Sequence, residues 1–164
     1  MRPILSLITA IISAALFCGC DSLDDDRIPP AAVNISFPTV AEWNIYGVAS
    51  ALDHRSFIPE KHLPKGFYYT ASTYCGFGGV LLVGDVMGNP MAYDLACPVE
   101  CRSGVRVAIN GETNLAECPQ CHSTYDVFSL MGHPTSGEAA EKGYGLRRYR
   151  VSPGRGTVYM QVSN

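Results

Sequence analysis

Apolar and polar positions alternate with a period of two in several short segments of this chain, and no long window repeats with the helical period of 3.6. Residues 33–37 and 105–109 alternate clearly, and residues 79–83 form an apolar run that is typical of a buried strand. Further strand candidates lie at residues 91–95, 115–117, 125–128, 146–151 and 157–162. Many short strands at close spacing predict an all-β fold, a small β-sandwich or barrel.

Two local signals add detail to this pattern. Asn110-Gly111 separates two strand candidates and predicts a tight hairpin turn, because both residue types accept positive φ. Thr39 has the side chain of an N-cap and predicts a short helical turn over residues 39–43.

Residues 49–70 form a less regular segment that contains His54 and His62. A loop of this length usually binds something or covers part of the core. We interpret both histidines as surface or loop residues.

Length and charge narrow the class of protein. The 164 residues suffice for one domain with a core, which we place at residues 33–164. The formal net charge is −3, and removing residues 1–19 would leave 11 basic against 15 acidic residues. The one basic cluster, residues 147–150, is interpreted as the exposed face and end of a strand. Without a basic face, nucleic acid is not expected as a partner.

Residues 1–19 have the pattern of a secretory signal peptide, with Arg2, an apolar run over residues 4–17 and then small residues. Gly19-Cys20 resembles a bacterial lipobox, although Phe17 stands where leucine is usual. The pattern predicts cleavage before Cys20 and lipidation of its thiol, with cleavage without a lipid as the alternative. Several acyl chains on one cysteine would give stable membrane anchoring.

Residues 20–32 are predicted to form an acidic and proline-containing tether. The aspartates that follow Cys20 also resemble the export tag of surface lipoproteins in some Gram-negative phyla. The expected location is therefore extracytoplasmic, anchored to a bacterial outer membrane. Whether the domain lies on the periplasmic or the cell-surface leaflet stays open.

Five cysteines remain beyond the leader. Cys75 stands alone and is interpreted as a buried, inert thiol. The other four form two knuckles, Cys97-x3-Cys101 and Cys118-x2-Cys121, on either side of the predicted hairpin. Four convergent thiolates suit tetrahedral zinc or iron, or an iron–sulfur cluster. Cys101 is the weakest member of this set, because its knuckle is one residue longer than the commonest form.

A series of motifs follows in order through this region: "CPQCHS" from Cys118, then "YD", "HP", "SGEA" and "LRRY", with "AYDLACPVEC" upstream. Over about residues 80–151 the series resembles the Rieske [2Fe–2S] domain family. The resemblance implies a Rieske-like β-sandwich or barrel with a two-knuckle metal-binding subdomain, similar to rubredoxins and zinc ribbons, at about residues 93–137. It also implies that Cys97 and Cys118 are cluster ligands.

The chain departs from the family at both ligand histidines. Val99 and Cys121 occupy their places, and His122, which replaces a glycine, is only a weaker alternative ligand. Three states of the site stay open. All four cysteines hold a [2Fe–2S] cluster or a single zinc or iron ion; Cys101 and Cys121 form the disulfide that some Rieske domains have near these places; or the knuckles are reduced and empty.

We therefore expect an anchored extracytoplasmic protein of Rieske type that transfers electrons to an unidentified redox partner. The alternative is a non-redox structural or binding lipoprotein on a degenerate Rieske scaffold, with structural zinc, a disulfide or an empty site. An electron-transfer or binding component is favoured over a stand-alone enzyme. Ser123 and His122 are adjacent only in sequence, which does not place them in catalytic contact.

Overall fold

The computed structural model describes residues 23–164, so the predicted signal peptide and Cys20 lie outside the described residues. The described chain is mostly β, which agrees with the all-β prediction. Its strands are β1 Val33–Phe37, β2 His54–Phe57, β3 Tyr74–Cys75, β4 Val80–Gly84, β5 Pro90–Asp94, β6 Ala108–Ile109, β7 Ala116–Glu117, β8 Thr124–Asp126, β9 His133–Ser136, β10 Arg148–Pro153 and β11 Met160–Ser163. The helices are α1 Val40–Tyr46 and α2 Gly137–Lys142, with a 3₁₀ turn at Pro59–Lys61.

The strands form two antiparallel sheets. The larger sheet has the order β2-β4-β5-β10-β11-β1-β3 and curls into a nearly closed barrel. The smaller sheet has the order β6-β7-β8-β9. The smaller sheet carries the second cysteine knuckle between β7 and β8, and the first knuckle lies in the chain between β5 and β6.

Strand β4 explains the continuous apolar run in the sequence, because both of its faces are buried. Leu81 and Val83 pack into the core that includes Cys97 and Cys118. Val80 and Leu82 pack into a second core around Phe37. Alternate side chains of a strand point to opposite faces, so one strand contributes to both cores.

The second core is rich in aromatic rings that meet edge to face. Phe37 lies 5.0 Å from Trp43 between ring centroids, and Phe57 lies 5.1 Å from Phe67. Trp43 belongs to α1, which begins at the predicted N-cap: the Thr39 hydroxyl accepts the backbone N–H of Glu42 at 3.1 Å. The predicted helical turn is confirmed and extends to Tyr46.

Asp94 is a fully buried carboxylate at the end of β5. It accepts the backbone N–H groups of Phe77 at 2.8 Å, Gly78 at 3.0 Å and Ala96 at 2.7 Å. It also accepts the hydroxyl of Tyr149 at 2.6 Å. These four donors fasten the 77–78 loop, β10 and the start of the first knuckle to one side chain.

The predicted hairpin forms, but its turn differs from the prediction. The loop comprises residues 110–115, closed by the N–H of Asn110 donating to the carbonyl of Leu115 at 2.9 Å. The residue with positive φ is Asn114, at 55°, and not Gly111. Strand β6 is also shorter than predicted, because Val107 instead donates its N–H to the carbonyl of Leu95 at 2.8 Å.

The described part of the predicted tether lies against the domain. Asp24 forms a parallel bridge with Tyr144, and Ile28 is 1% exposed. Asp26 pairs with Arg147 at 2.9 Å, which gives part of the basic cluster an intramolecular partner. These tether residues therefore pack on the domain that the sequence analysis places at residues 33–164.

We predict that Asp94→Asn destabilises the protein by about 3 kcal/mol, because one acceptor oxygen would be replaced by an NH₂ group that faces buried donors. Urea unfolding would measure the loss. Tyr149→Phe removes only one of the four donors and should cost about 1 kcal/mol. Equal urea-unfolding midpoints for Asp94→Asn and the wild type would contradict the proposed contribution of the Asp94 hydrogen bonds to stability.

Candidate metal centre

The two knuckles, residues 97–101 and 118–122, have the same backbone turn. In the first, the N–H of Cys101 donates to the carbonyl of Cys97 at 2.9 Å. In the second, the N–H of His122 donates to the carbonyl of Cys118 at 3.1 Å. Cys101 and His122 both have left-handed backbones, with φ of 49° and 56°. Each knuckle is thus a Cys-Pro turn that closes at its fifth residue.

This correspondence changes how the knuckles align. Cys121 is the fourth residue of its turn and matches Glu100, whereas Cys101 is a fifth residue and matches His122. The Cys101 sulfur lies 3.0 Å from the Pro98 carbonyl oxygen, within its own knuckle. The extra residue in C-x3-C therefore puts Cys101 at the closing position of the turn.

Three of the four predicted sulfurs converge: those of Cys97, Cys118 and Cys121 lie within 4.8 Å of one another. The Cys97 and Cys121 sulfurs are 3.6 Å apart. Bonds of about 2.3 Å at tetrahedral angles put two sulfurs about 3.8 Å apart on one zinc ion, so these three, the cysteine triad, can hold a metal ion. Cys101 lies outside the triad, and its role as a ligand stays a prediction.

The triad combines buried and accessible sulfurs. Cys97 and Cys118 are fully buried, whereas Cys121 is half-buried. Burial raises the pKa of the Cys97 thiol to about 12, opposed by the N–H of Glu100 and the Tyr125 hydroxyl. Burial also acts to raise the pKa of Cys121, but hydrogen bonds from Ser123 and the other two thiols outweigh it, so that pKa is below its ordinary value. A bound cation would favour all three thiolates.

Tyr125 and Ser123 also border the site, although the sequence analysis assigned neither residue a role there. The Tyr125 hydroxyl lies 3.6 Å from the Cys97 sulfur, in a fully buried position. Ser123 is also fully buried; its carbonyl accepts the N–H of Cys118 at 3.0 Å, and its hydroxyl accepts the N–H of Ala139 at 3.2 Å. Their positions in "CHSTYD", directly after the second knuckle, were the available signal.

Arg102 joins the tips of the two knuckles. Its guanidinium donates to the Glu100 carboxylate at 2.7 Å and to the Gln120 side-chain oxygen at 2.5 Å. Because Arg102 is exposed, this contact contributes little to stability. It does restrict the distance between the two turns.

The other candidate residues do not belong to the triad. Cys75 is 8% exposed in the aromatic core, where burial and the nearby Glu60 carboxylate raise its pKa to about 12. The predicted burial of this thiol is confirmed. His54 and His62 are exposed, as expected for surface positions. His122 is also exposed, with its ring 3.5 Å from Glu117.

Comparisons with known proteins do not identify the chain. No protein-family model matches the sequence, and no curated protein and no solved structure shows significant similarity to it. Across residues 23–164, none of the helices has the length and apolar character needed to cross a membrane.

In the reduced, metal-free protein we expect Cys121 to react with iodoacetamide at pH 7 at least about tenfold faster than Cys75, because a lowered pKa and partial exposure increase the accessible thiolate. Peptide mass mapping over time would measure both rates. The urea-denatured chain is the control, in which the difference should disappear. Equal rates in the folded protein would contradict the difference in pKa and exposure between Cys121 and Cys75.

Proposed function

We propose that this protein binds a metal ion through Cys97, Cys118 and Cys121, and that the bound metal fastens the two knuckles together. The observation that supports this most strongly is the convergence of three sulfurs from separate turns. Soft thiolate ligands select zinc, copper(I) or iron among biological metals. Three thiolates leave a fourth tetrahedral position, for which Cys101 and His122 are the nearest predicted candidates in sequence.

We further propose that the protein is an anchored extracytoplasmic lipoprotein of Rieske type. The order of motifs over residues 80–151 supports the Rieske relation, and Gly19-Cys20 supports the anchor. If the metal is iron, the proposed activity is one-electron transfer. The half-buried Cys121 sulfur supports this activity, because it brings one ligand close to a docking redox partner.

A single ion fits the triad more directly than a [2Fe–2S] cluster. A cluster of that type takes four protein ligands over two irons, and all-cysteine ligation gives a lower potential than the two-histidine Rieske centre. Cys101 would have to leave its contact with the Pro98 carbonyl to serve as the fourth ligand. Structural zinc is therefore the second candidate, and it makes the protein a non-redox component.

Anaerobic purification followed by elemental analysis and visible absorbance tests the site. We expect about one metal equivalent, with Cys118→Ser losing it and Cys75→Ser keeping it. Loss of metal should also lower the melting temperature, because binding a structural metal contributes to folding. Elemental analysis distinguishes iron from zinc, and Cys101→Ser distinguishes a single ion from a cluster: it should keep an ion held by the triad and lose a four-cysteine cluster.

Thiol counting by alkylation in denaturant covers the remaining alternatives. Metal-free protein with five free thiols beyond the leader would support an empty scaffold and contradict metal binding. Metal-free protein with two fewer free thiols would support a disulfide.

The anchor has its own prediction. Cys20→Ala should release the protein from the membrane fraction, because the residue that carries the acyl chains is lost. Fractionation of expressing cells, with Cys18→Ala as the matched control, would measure this. Membrane-bound Cys20→Ala together with unprocessed wild type would favour an uncleaved apolar anchor.

A further inference from the structure

A cavity of about 380 Å³ lies beside the aromatic core, on the part of the barrel where β1 meets α1. Its wall includes Ser36 of β1, Glu42 of α1 and Phe67 in the segment after the 3₁₀ turn. The cysteine triad belongs to the other core. The cavity is within the size range of small-molecule sites and is distinct from the proposed metal centre.

Glu42 lines this cavity, and one oxygen of its carboxylate has no partner. Its Oε2 atom is buried and has no hydrogen-bond partner among residues 23–164. In a capping box, a glutamate at this position bonds back to the backbone N–H of the N-cap residue. Here the backbone half of the motif is present, because the Glu42 N–H donates to Thr39 Oγ1. A buried carboxylate oxygen without a donor is costly, and a cationic group bound beside the part of Glu42 that lines the cavity would offset this cost.

The wall around Glu42 suits a positively charged group. Among the described residues that line the cavity, none has a basic side chain, so no cation of the cavity wall neutralises the Glu42 carboxylate. Tyr46 and Phe67 lie edge to face, with ring centroids 5.4 Å apart, and Tyr68, 82% exposed, adds a third aromatic ring. The face of an aromatic ring attracts a cation within about 6 Å of its centroid.

Hydroxyl groups complete the set of acceptors. Ser36 and Thr70 line the same cavity, and hydroxyl oxygens accept hydrogen bonds from an ammonium group. A primary ammonium has three N–H donors, which a carboxylate oxygen and two hydroxyls can satisfy together. We propose that this cavity binds a small organic molecule through a primary ammonium group, with Glu42 as its counter-ion and the aromatic rings against its carbon chain.

Isothermal titration calorimetry of the full-length protein in detergent, with n-butylammonium chloride as the probe, tests the proposal. We expect saturable binding that weakens at least about tenfold in Glu42→Gln, which keeps the shape and the backbone cap but removes the charge. Glu112→Gln, in the exposed 110–115 loop, is the matched control and should bind as the wild type does. Neutral n-butanol, of similar size, should not saturate the site.

Two further variants keep the result interpretable. Tyr68→Ala changes an exposed side chain, so it should fold normally and bind about threefold more weakly. Cys118→Ser should leave n-butylammonium binding unchanged, which separates this site from the metal centre. Equal affinity in Glu42→Gln, equal binding of n-butanol, or saturable binding of glucose without the amine would overturn the assignment.

Discussion

The position of the first cysteine knuckle relative to the barrel depends on the hydrogen bonds of one buried carboxylate, that of Asp94. Its four donors come from the 77–78 loop, from β10 and from the chain that enters the first knuckle. A buried charge of this kind requires all its partners, since an incomplete set leaves it without the hydrogen bonding that water would provide. Cys97 therefore begins its turn three residues after a point that the barrel holds firmly.

The geometry of the cysteine site is determined by the Asp94 hydrogen bonds and by the smaller sheet. The first knuckle begins where β5 ends, and the second connects β7 to β8. Residues 105–107 pair back onto the exit of β5, as the bridge between Ala96 and Arg106 indicates. Backbone pairing thus brings the two turns together, and the exposed Arg102 contact adds only a local restraint on their tips.

The two cores give the molecule two chemically different regions. One encloses the cysteine triad among apolar side chains, and these three sulfurs could hold a soft metal ion. The other is rich in aromatic rings and lies beside a cavity that Glu42 lines. Strand β4 separates them and contributes side chains to both, so the two proposed sites can be disturbed independently.

The sequence by itself determined the features that depend on near neighbours along the chain. The apolar run of β4, the alternation of β1 and the Thr39 cap were all predicted from the sequence, because strand period and capping chemistry act within a few residues. The two Cys-Pro knuckles were also readable, and three of the four predicted ligands converge. The burial of Cys75 followed from its isolation from both knuckles.

Only the tertiary structure decided which sulfurs meet. The backbone of Cys101 is left-handed because the first knuckle closes at its fifth residue, and spacing alone did not reveal that closing position. The hairpin loop is longer than the local Asn110-Gly111 signal predicts, because Asn110 pairs with Leu115, and strand β6 is shorter because Val107 pairs with Leu95. The unpartnered oxygen of Glu42 and the packing of Asp24 and Ile28 likewise depend on residues distant in sequence. Such contacts form only when the whole chain folds, because burial and long-range pairing are properties of the assembled cores.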